Sequence, residues 1–264
     1  MEKFDHDFYI SFYPDLKDMT ADESYQHFLN HGKNEKRICS MEMLSDFQIK
    51  NKYRINKEHF NNVHQQKKIN ILIRTSNRPE YFKNCIESVL QQHYENYQVY
   101  ICFDKNESLK YLSQFIKNTK IEFFPIHKDS EEKYKFNLYC NDLLDKINNG
   151  YVIFLDDDDK FCHNQVLNIL NNIIDKKTLL LWKFLRSDKL IYPINLKNIK
   201  LGEIDTSGFI GYYNLYKNCR WWDQKNGDYN FINQVIHKNN PKIKLLDKLL
   251  VKTQSTDKIG NLGN

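Results

Sequence analysis

From residue 69 onward the chain alternates two kinds of segment, and that alternation limits its fold more than any other feature. Short apolar runs at 69–75, 98–103, 121–126 and 151–155 are rich in β-branched and aromatic residues and read as strands. Between and after them, 80–92, 108–117, 135–148 and 164–174 carry apolar residues at helical spacing, as Ile86, Val89 and Leu90 do. A strand followed by a helix returns parallel to its predecessor, so the pattern predicts an α/β fold: a mostly parallel sheet flanked by helices. Such sheets bind ligands outside the carboxyl ends of their strands. Three polar clusters fall at those ends: Thr75-Ser76-Asn77-Arg78, Asp104-Lys105-Asn106 and Asp156–Asp159. Each has a reading as ordinary loop chemistry, but all three share one edge of one predicted sheet.

The third cluster is the sharpest. Tyr151-Val152-Ile153-Phe154-Leu155 is apolar and runs straight into Asp156, Asp157, Asp158 and Asp159. Like charges packed so closely repel, and folding alone gives little reason to keep them. A divalent cation that takes hard oxygen ligands, Mn²⁺ or Mg²⁺, compensates them. The competing reading is a solvated acidic turn; the apolar run before the cluster and the polar clusters beside it favour the metal.

Residues 1–46 read differently. Phe4, Phe8, Tyr9, Phe12 and Tyr13 recur at helical spacing, and Pro14-Asp15-Leu16 breaks the pattern. Thr20-Ala21-Asp22-Glu23 has the form of a capping box opening a helix that stops near His31-Gly32. These residues are expected to form a small helical accessory module, 47–68 a polar connector with some helix, and 69–264 the main domain. After 178–185 the spacing turns irregular, with a hairpin-like 189–194 and a second helix-rich piece beginning near Asp228.

Composition excludes several classes. At 264 residues, 41% hydrophobic and 14% aromatic, the chain can bury a core and is not a disordered polymer. Its net charge of +5 is spread along the chain, so no nucleic-acid partner is expected, although mild positive charge helps to attract an anionic nucleotide. No apolar run approaches the ~20 residues of a membrane helix, and Met1–Asp7 lacks a signal-peptide core. The six cysteines contain no Cys-x-x-Cys pair, which fits a reducing compartment and not a zinc site. A cytoplasmic location, or host cytoplasm for a viral protein, is the expectation.

The run Ile71-Leu72-Ile73-Arg74-Thr75-Ser76-Asn77-Arg78-Pro79 resembles the opening strand and turn of family 2 glycosyltransferases of the GT-A, Rossmann-like fold. Val99–Asp104 is similar to their second strand, though it ends in one acid and not the usual pair. Phe154-Leu155-Asp156-Asp157-Asp158-Asp159 resembles their Leu-Asp-x-Asp-Asp signature, a DxD motif, and Gly227-Asp228-Tyr229-Asn230-Phe231 the later element that supplies the base. The four motifs occur in order across about residues 69–255. Gln254 stands where many relatives carry the His of an Arg-x-His. The N-terminal Phe-Tyr-Pro-Asp-Leu resembles an element found beside glycosyltransferases in some giant-virus and bacterial proteins.

The resemblance implies roles. Thr75, Asn77 and Arg78 would lie beside the nucleotide, with the Arg78 fork on base or phosphate; its plainer reading is an exposed Arg at a helix start. Asp104 would accept from the N3–H of uracil, or merely form a turn. Lys135 would neutralise phosphate, and Asn137 and Asn141 share a face of a donor-binding helix. Asp156 would sit near ribose and metal, and Asp158 would ligate the metal. Asp159 would support it or meet the acceptor, and Asp157 would fill the variable slot facing solvent. Asp228 would be the general base, or the N-cap of the following helix. Trp221 and Trp222 are either an acceptor-sugar platform or core aromatics. Gly208, in the small-residue run 207–211, would line the acceptor cleft.

The function implied is metal-dependent, inverting transfer of a hexosyl or N-acetylhexosaminyl group from a nucleotide sugar, expected to be a UDP-sugar, to a hydroxyl on a glycan or protein. Two alternatives stay open. A nucleotidyltransferase shares a related core but would carry a Gly-rich loop where 75–78 has none. An inactive glycan-binding or scaffold protein would have kept the fold. Self-association through the N-terminal module is a further expectation.

Overall fold

The computed structural model describes residues 4–40, 42–43, 66–126, 133–194 and 200–254. Nine strands among them form one sheet: β1 Ile69–Thr75, β2 Tyr97–Phe103, β3 Ile121–Pro125, β4 Tyr151–Asp156, β5 Asp159–Phe161, β6 Thr178–Leu185, β7 Ile191–Tyr192, β8 Phe209–Tyr212 and β9 Lys242–Thr253. Their order is β3-β2-β1-β4-β8-β6-β9-β5, with β7 paired to β6. The half from β3 to β4 is parallel, in registers such as Ile71↔Val99 and Ile71↔Ile153. Beyond β4 the sheet is mixed: β8 is antiparallel to β4 and β6, while β9 runs parallel to β6.

Side chains alternate across the sheet and bury on both faces. Ile71, Ile73, Ile101, Ile153 and Leu155 point to one face, where the helices Pro79–Leu90 and Val166–Ile173 contribute Phe82, Ile86, Val89, Leu167 and Leu170. Leu72, Tyr100, Cys102, Val152 and Phe154 point to the other, under the helices Lys135–Leu144 and Gly227–Asn239. Gly150 opens β4 at φ +97°, with Lys68 O and the Asn70 amide too close to its Cα to admit a side chain. That approach lets Asn70 Nδ2 donate to Asn149 O and Tyr151 O, satisfying the donor half of a fully buried amide.

Two expectations need correction. The second helix-rich piece is one helix, Gly227–Asn239, followed by the 12-residue strand β9. The apolar residues of Lys242–Thr253 suit either period, and the open edge of β6 decides in favour of pairing. The helix expected over 108–117 is broken into single turns, Asn106–Ser108, Leu109–Leu112 and Ser113–Phe115.

The N-terminal helices form as expected. Asp5 caps the helix His6–Phe12 by accepting from Phe8 N. Thr20 and Glu23 form the reciprocal capping box that opens Ala21–His27, which runs on through a π-turn to Gly32. Tyr9, Leu16, Phe28 and Cys39 make a small cluster of their own, whereas Phe8, Phe12 and Ile38 join the core beneath the sheet. Of the 47–68 connector, only residues 66–68 are among those described.

Candidate active site at the carboxyl ends of the parallel strands

β1 delivers two arginines to the acidic cluster. Arg74 sits opposite Asp156 in the β1–β4 register and grips it bidentately, Nε to Oδ1 at 2.6 Å and Nη2 to Oδ2 at 2.8 Å. After Thr75 the chain turns through Asn77 at φ +51°, and Pro79 starts the next helix. Arg78, at the head of that helix, spans two carboxylates: Nε and Nη2 reach Asp157, and Nη1 lies 3.2 Å from Asp158 Oδ2. Thr75 Oγ1 donates to Asp157 Oδ2 at 2.7 Å. Asp157 therefore does not face solvent as expected: it is fully buried and held by Thr75 and Arg78. Its partners explain this, because a buried carboxylate without them would be too costly. Arg78 is likewise buried, not an exposed helix-start residue.

Asp156, Asp158 and Asp159 each present a carboxylate oxygen within 4.8 Å of the others. Asp205, which the sequence reading passed over, joins them, with its carboxylate accepting from Ser207 N and Oγ. Burial first, then Arg78 in opposition and Asp156 and Asp205 in support, leaves Asp158 raised to about 6. Asp159 is pushed well above the carboxylate range by burial and by Asp205, Asp158 and Asp156. Around this point, six carboxylates (156–159, 205 and 228) meet the guanidinium groups of Arg74 and Arg78. The excess of negative charge and the all-oxygen donor set fit a hard divalent cation. The loop is tied down from β9: Gln254 N donates to Asp158 O at 2.6 Å, and its side chain reaches Tyr81 O and accepts from Asn84.

The helix Gly227–Asn239 brings Asp228 within electrostatic reach of Asp156, Asp205 and Arg74. The N-cap of its helix is Asn226 at φ +59°, so the capping reading of Asp228 is corrected; Asp228 is the second helical residue and accepts from Tyr229 N at 2.7 Å. Burial, Asp205 and Asp156 raise its carboxyl to about 7, against the opposing pull of Arg74. The segment before it is clasped by the helix Lys135–Leu144. Asn141 exchanges two 2.9 Å hydrogen bonds with the backbone of Trp221. Asn137 donates to Trp222 O and Gln224 O, and its Oδ1 lies 3.5 Å from Arg74 Nη1. Gly227 is required by this contact, since a Cβ there would sit 2.5 Å from Asn137 Nδ2. Trp221 takes the core reading: it is buried and stacks on Phe231 at 4.8 Å. Trp222 is half exposed.

The remaining candidates lie around this centre. Asp104 follows β2; Tyr139 donates to its Oδ2 at 3.2 Å, while its buried Oδ1 has no partner among the described residues. Asn77 N donates to Ser108 Oγ. Lys135 opens its helix with Nζ 5.9 Å from the Phe136 ring centre. Gly208 N bonds Asp205 O, and the strand after it, Phe209–Gly211, is buried in the sheet, so that stretch is core and not a cleft lining. Arg74 was legible in one respect: it is the lone charge in an apolar strand, and pairing β1 with β4 sets it against Asp156.

The family model described as glycosyl transferase family 2 matches residues 70–236. An uncharacterized glycosyltransferase of Rickettsia bellii is 35% identical over 101 residues, covering 38% of this chain and 14% of that protein. Among solved structures, residues 1–349 of S. aureus TarS superpose with a TM-score of 0.59 at 18% identity, covering 70% of this chain and 60% of that one; TarS has also been solved with UDP and with UDP-GlcNAc. The mannosyltransferase PcManGT of Pyrobaculum calidifontis, in complex with GDP-Man and Mn²⁺, gives 0.54 at 8% identity, over 82% of this chain and 67% of that one. Identities this low show a common fold. The chain spans only a small part of the curated relative it matches.

Proposed function

The chain belongs to glycosyl transferase family 2, and on that premise we propose that it moves a sugar from a nucleotide-sugar donor to an acceptor hydroxyl with inversion. The observation that carries this reading is the meeting of an all-oxygen carboxylate triad with a half-buried carboxyl poised near neutrality, Asp228, at one sheet edge. Asp156, Asp158 and Asp159 would hold Mn²⁺ or Mg²⁺, which when bound neutralises charge on a departing diphosphate. TarS complexes with UDP and UDP-GlcNAc support a UDP-sugar as donor, although a GDP-Man complex in the same fold keeps the base open.

Each step falls to a residue of this chain. Asp104, with one buried oxygen lacking a partner among the described residues, is the acceptor for a base N–H. The turn at Thr75–Arg78 would line the nucleotide side, with the Arg78 fork held by Asp157 and Asp158 and not offered to base or phosphate, and Lys135 would neutralise the phosphates. Asp228 takes the proton from the acceptor hydroxyl as that oxygen bonds the anomeric carbon. The carbon–oxygen bond to the diphosphate breaks, and its electron pair leaves with the diphosphate. Attack from the side opposite the leaving group inverts the centre. Trp222 offers an exposed aromatic face to an acceptor sugar.

The test is release of nucleoside diphosphate from a panel of UDP- and GDP-sugars, with Mn²⁺ and with chelator. Metal-dependent release from one donor class supports the reading. No binding of any nucleotide sugar, with or without metal, would sink it.

A further inference from the structure

We infer that the N-terminal helices are a working part of the nucleotide-side turn, holding the segment Asn106–Leu112 against Thr75–Arg78 with Tyr111 as the positioning residue. Nothing in the sequence gives the module this role; the packing does.

The argument runs from the turn outward. Asn77 stands at φ +51°, a left-handed state that asparagine reaches more readily than other side chains and that contacts from outside the turn can hold. Two side chains of one segment do so. Ser108 Oγ accepts from Asn77 N at 3.0 Å, and the Tyr111 hydroxyl bonds Thr75 Oγ1 at 2.8 Å. Thr75 passes that hold on, since its Oγ1 also donates to Asp157. Asp157 in turn fixes Arg78, whose other nitrogen reaches Asp158.

The gripping segment is weak by itself. It consists of single turns with no capping side chain, too short for independent stability. What backs it is the helix His6–Phe12, which packs against both Asn106–Ser108 and Leu109–Leu112. Phe8 and Phe12 stack at 5.0 Å and are buried in the same cluster as Leu109, Tyr111 and Leu112. The helix is itself capped by Asp5 and tied through Asp5 N to Cys39 O. The chain of contact thus runs from the helix His6–Phe12 to the segment that carries Ser108 and Tyr111, then to Thr75 and Asn77, then to Asp157 and Arg78. A domain that merely hung beside the main fold would not share its core or back its ligand-side turn.

Two full-length variants test this. Phe12→Leu softens the contact with little volume change, and Tyr111→Phe keeps the ring while removing the hydroxyl. Amide hydrogen exchange at Asn77 and across 106–112 should accelerate in Phe12→Leu, and at Asn77 in Tyr111→Phe, while the sheet strands keep wild-type protection. Affinity for UDP with Mn²⁺ should fall roughly 2- to 10-fold in both, the scale of one lost hydrogen bond. The affinity readout rests on the nucleotide-sugar reading; the exchange readout does not. Unchanged exchange at Asn77 in both variants overturns the inference. Accelerated exchange in a protein whose wild type binds no UDP upholds the buttress and refutes the donor reading instead. Accelerated exchange with wild-type UDP affinity also overturns it, because the turn then does not serve the nucleotide.

Discussion

Asp228→Asn separates chemistry from stability. The folded carboxyl, at about 7, titrates well above its usual value because of burial, Asp205 and Asp156. Between roughly pH 4 and pH 7 the folded state therefore holds more proton than the unfolded one, and stability falls as pH rises through that window. Ionising the group costs the fold about 4 kcal/mol by the size of the shift, and solvent at this half-buried site trims the cost to on the order of 2 kcal/mol. Asparagine keeps the acceptor for Tyr229 N and carries no charge, so the variant should melt about 4–8 °C higher at roughly pH 8. At roughly pH 3, below the unfolded carboxyl's own titration, the two should melt together. Activity should move the opposite way. Wild-type turnover without limiting metal should rise roughly tenfold between about pH 6 and about pH 8 as the base loses its proton, and the variant should be flat and slower by about 10²–10⁴. Turnover and differential scanning calorimetry on the same samples read both. A variant that keeps more than about a tenth of wild-type turnover on the true acceptor refutes the base assignment, and equal melting at high pH refutes the electrostatic reasoning.

Two further outcomes are expected. Asp158→Asn removes a carboxylate that burial holds at about 6, while Arg78 keeps Asp157 as its partner; the metal-free protein should melt no lower than wild type at high pH, yet UDP affinity should stop responding to Mn²⁺ in titration calorimetry. A response equal to wild type would remove Asp158 from the metal set. Gly227→Ala drives a Cβ to 2.5 Å from Asn137 Nδ2; urea unfolding should show a loss of about 1–3 kcal/mol, and turnover should fall more than UDP affinity because the displaced segment carries Asp228.

Much of this was legible because local pattern and global fold agree. The strands at 69–75 and 151–155 are so apolar on both faces that only a covered, parallel sheet suits them, and their carboxyl ends then gather the polar clusters. What escaped depended on partners distant in sequence. Asp157 looked like the solvent-facing member of its run because nothing local says that Thr75 and Arg78 reach it. Asp205 has no motif around it and enters only because β8 runs between β4 and β6. Asn137 and Asn141, read as facing the donor, spend hydrogen bonds on the backbone of 221–224. β9 was missed because its apolar residues fit a helix as well as a strand until β6 is beside them.

The stitch from Gln254 to Asp158 bears on the order in which the site is made during synthesis. Arg74 and Arg78 leave the ribosome before the aspartates they hold, so the acidic run emerges with its counter-charges already present. Residue 254 follows residue 156 by about 100 residues, which takes roughly 5–20 s at ordinary elongation rates. For that interval β6 has one edge waiting and the acidic loop lacks its anchor. A nascent chain stalled before residues 242–254 have left the ribosome should hold the β1–β4 sheet and both arginine pairs, yet remain unable to retain a nucleotide with metal until β9 docks.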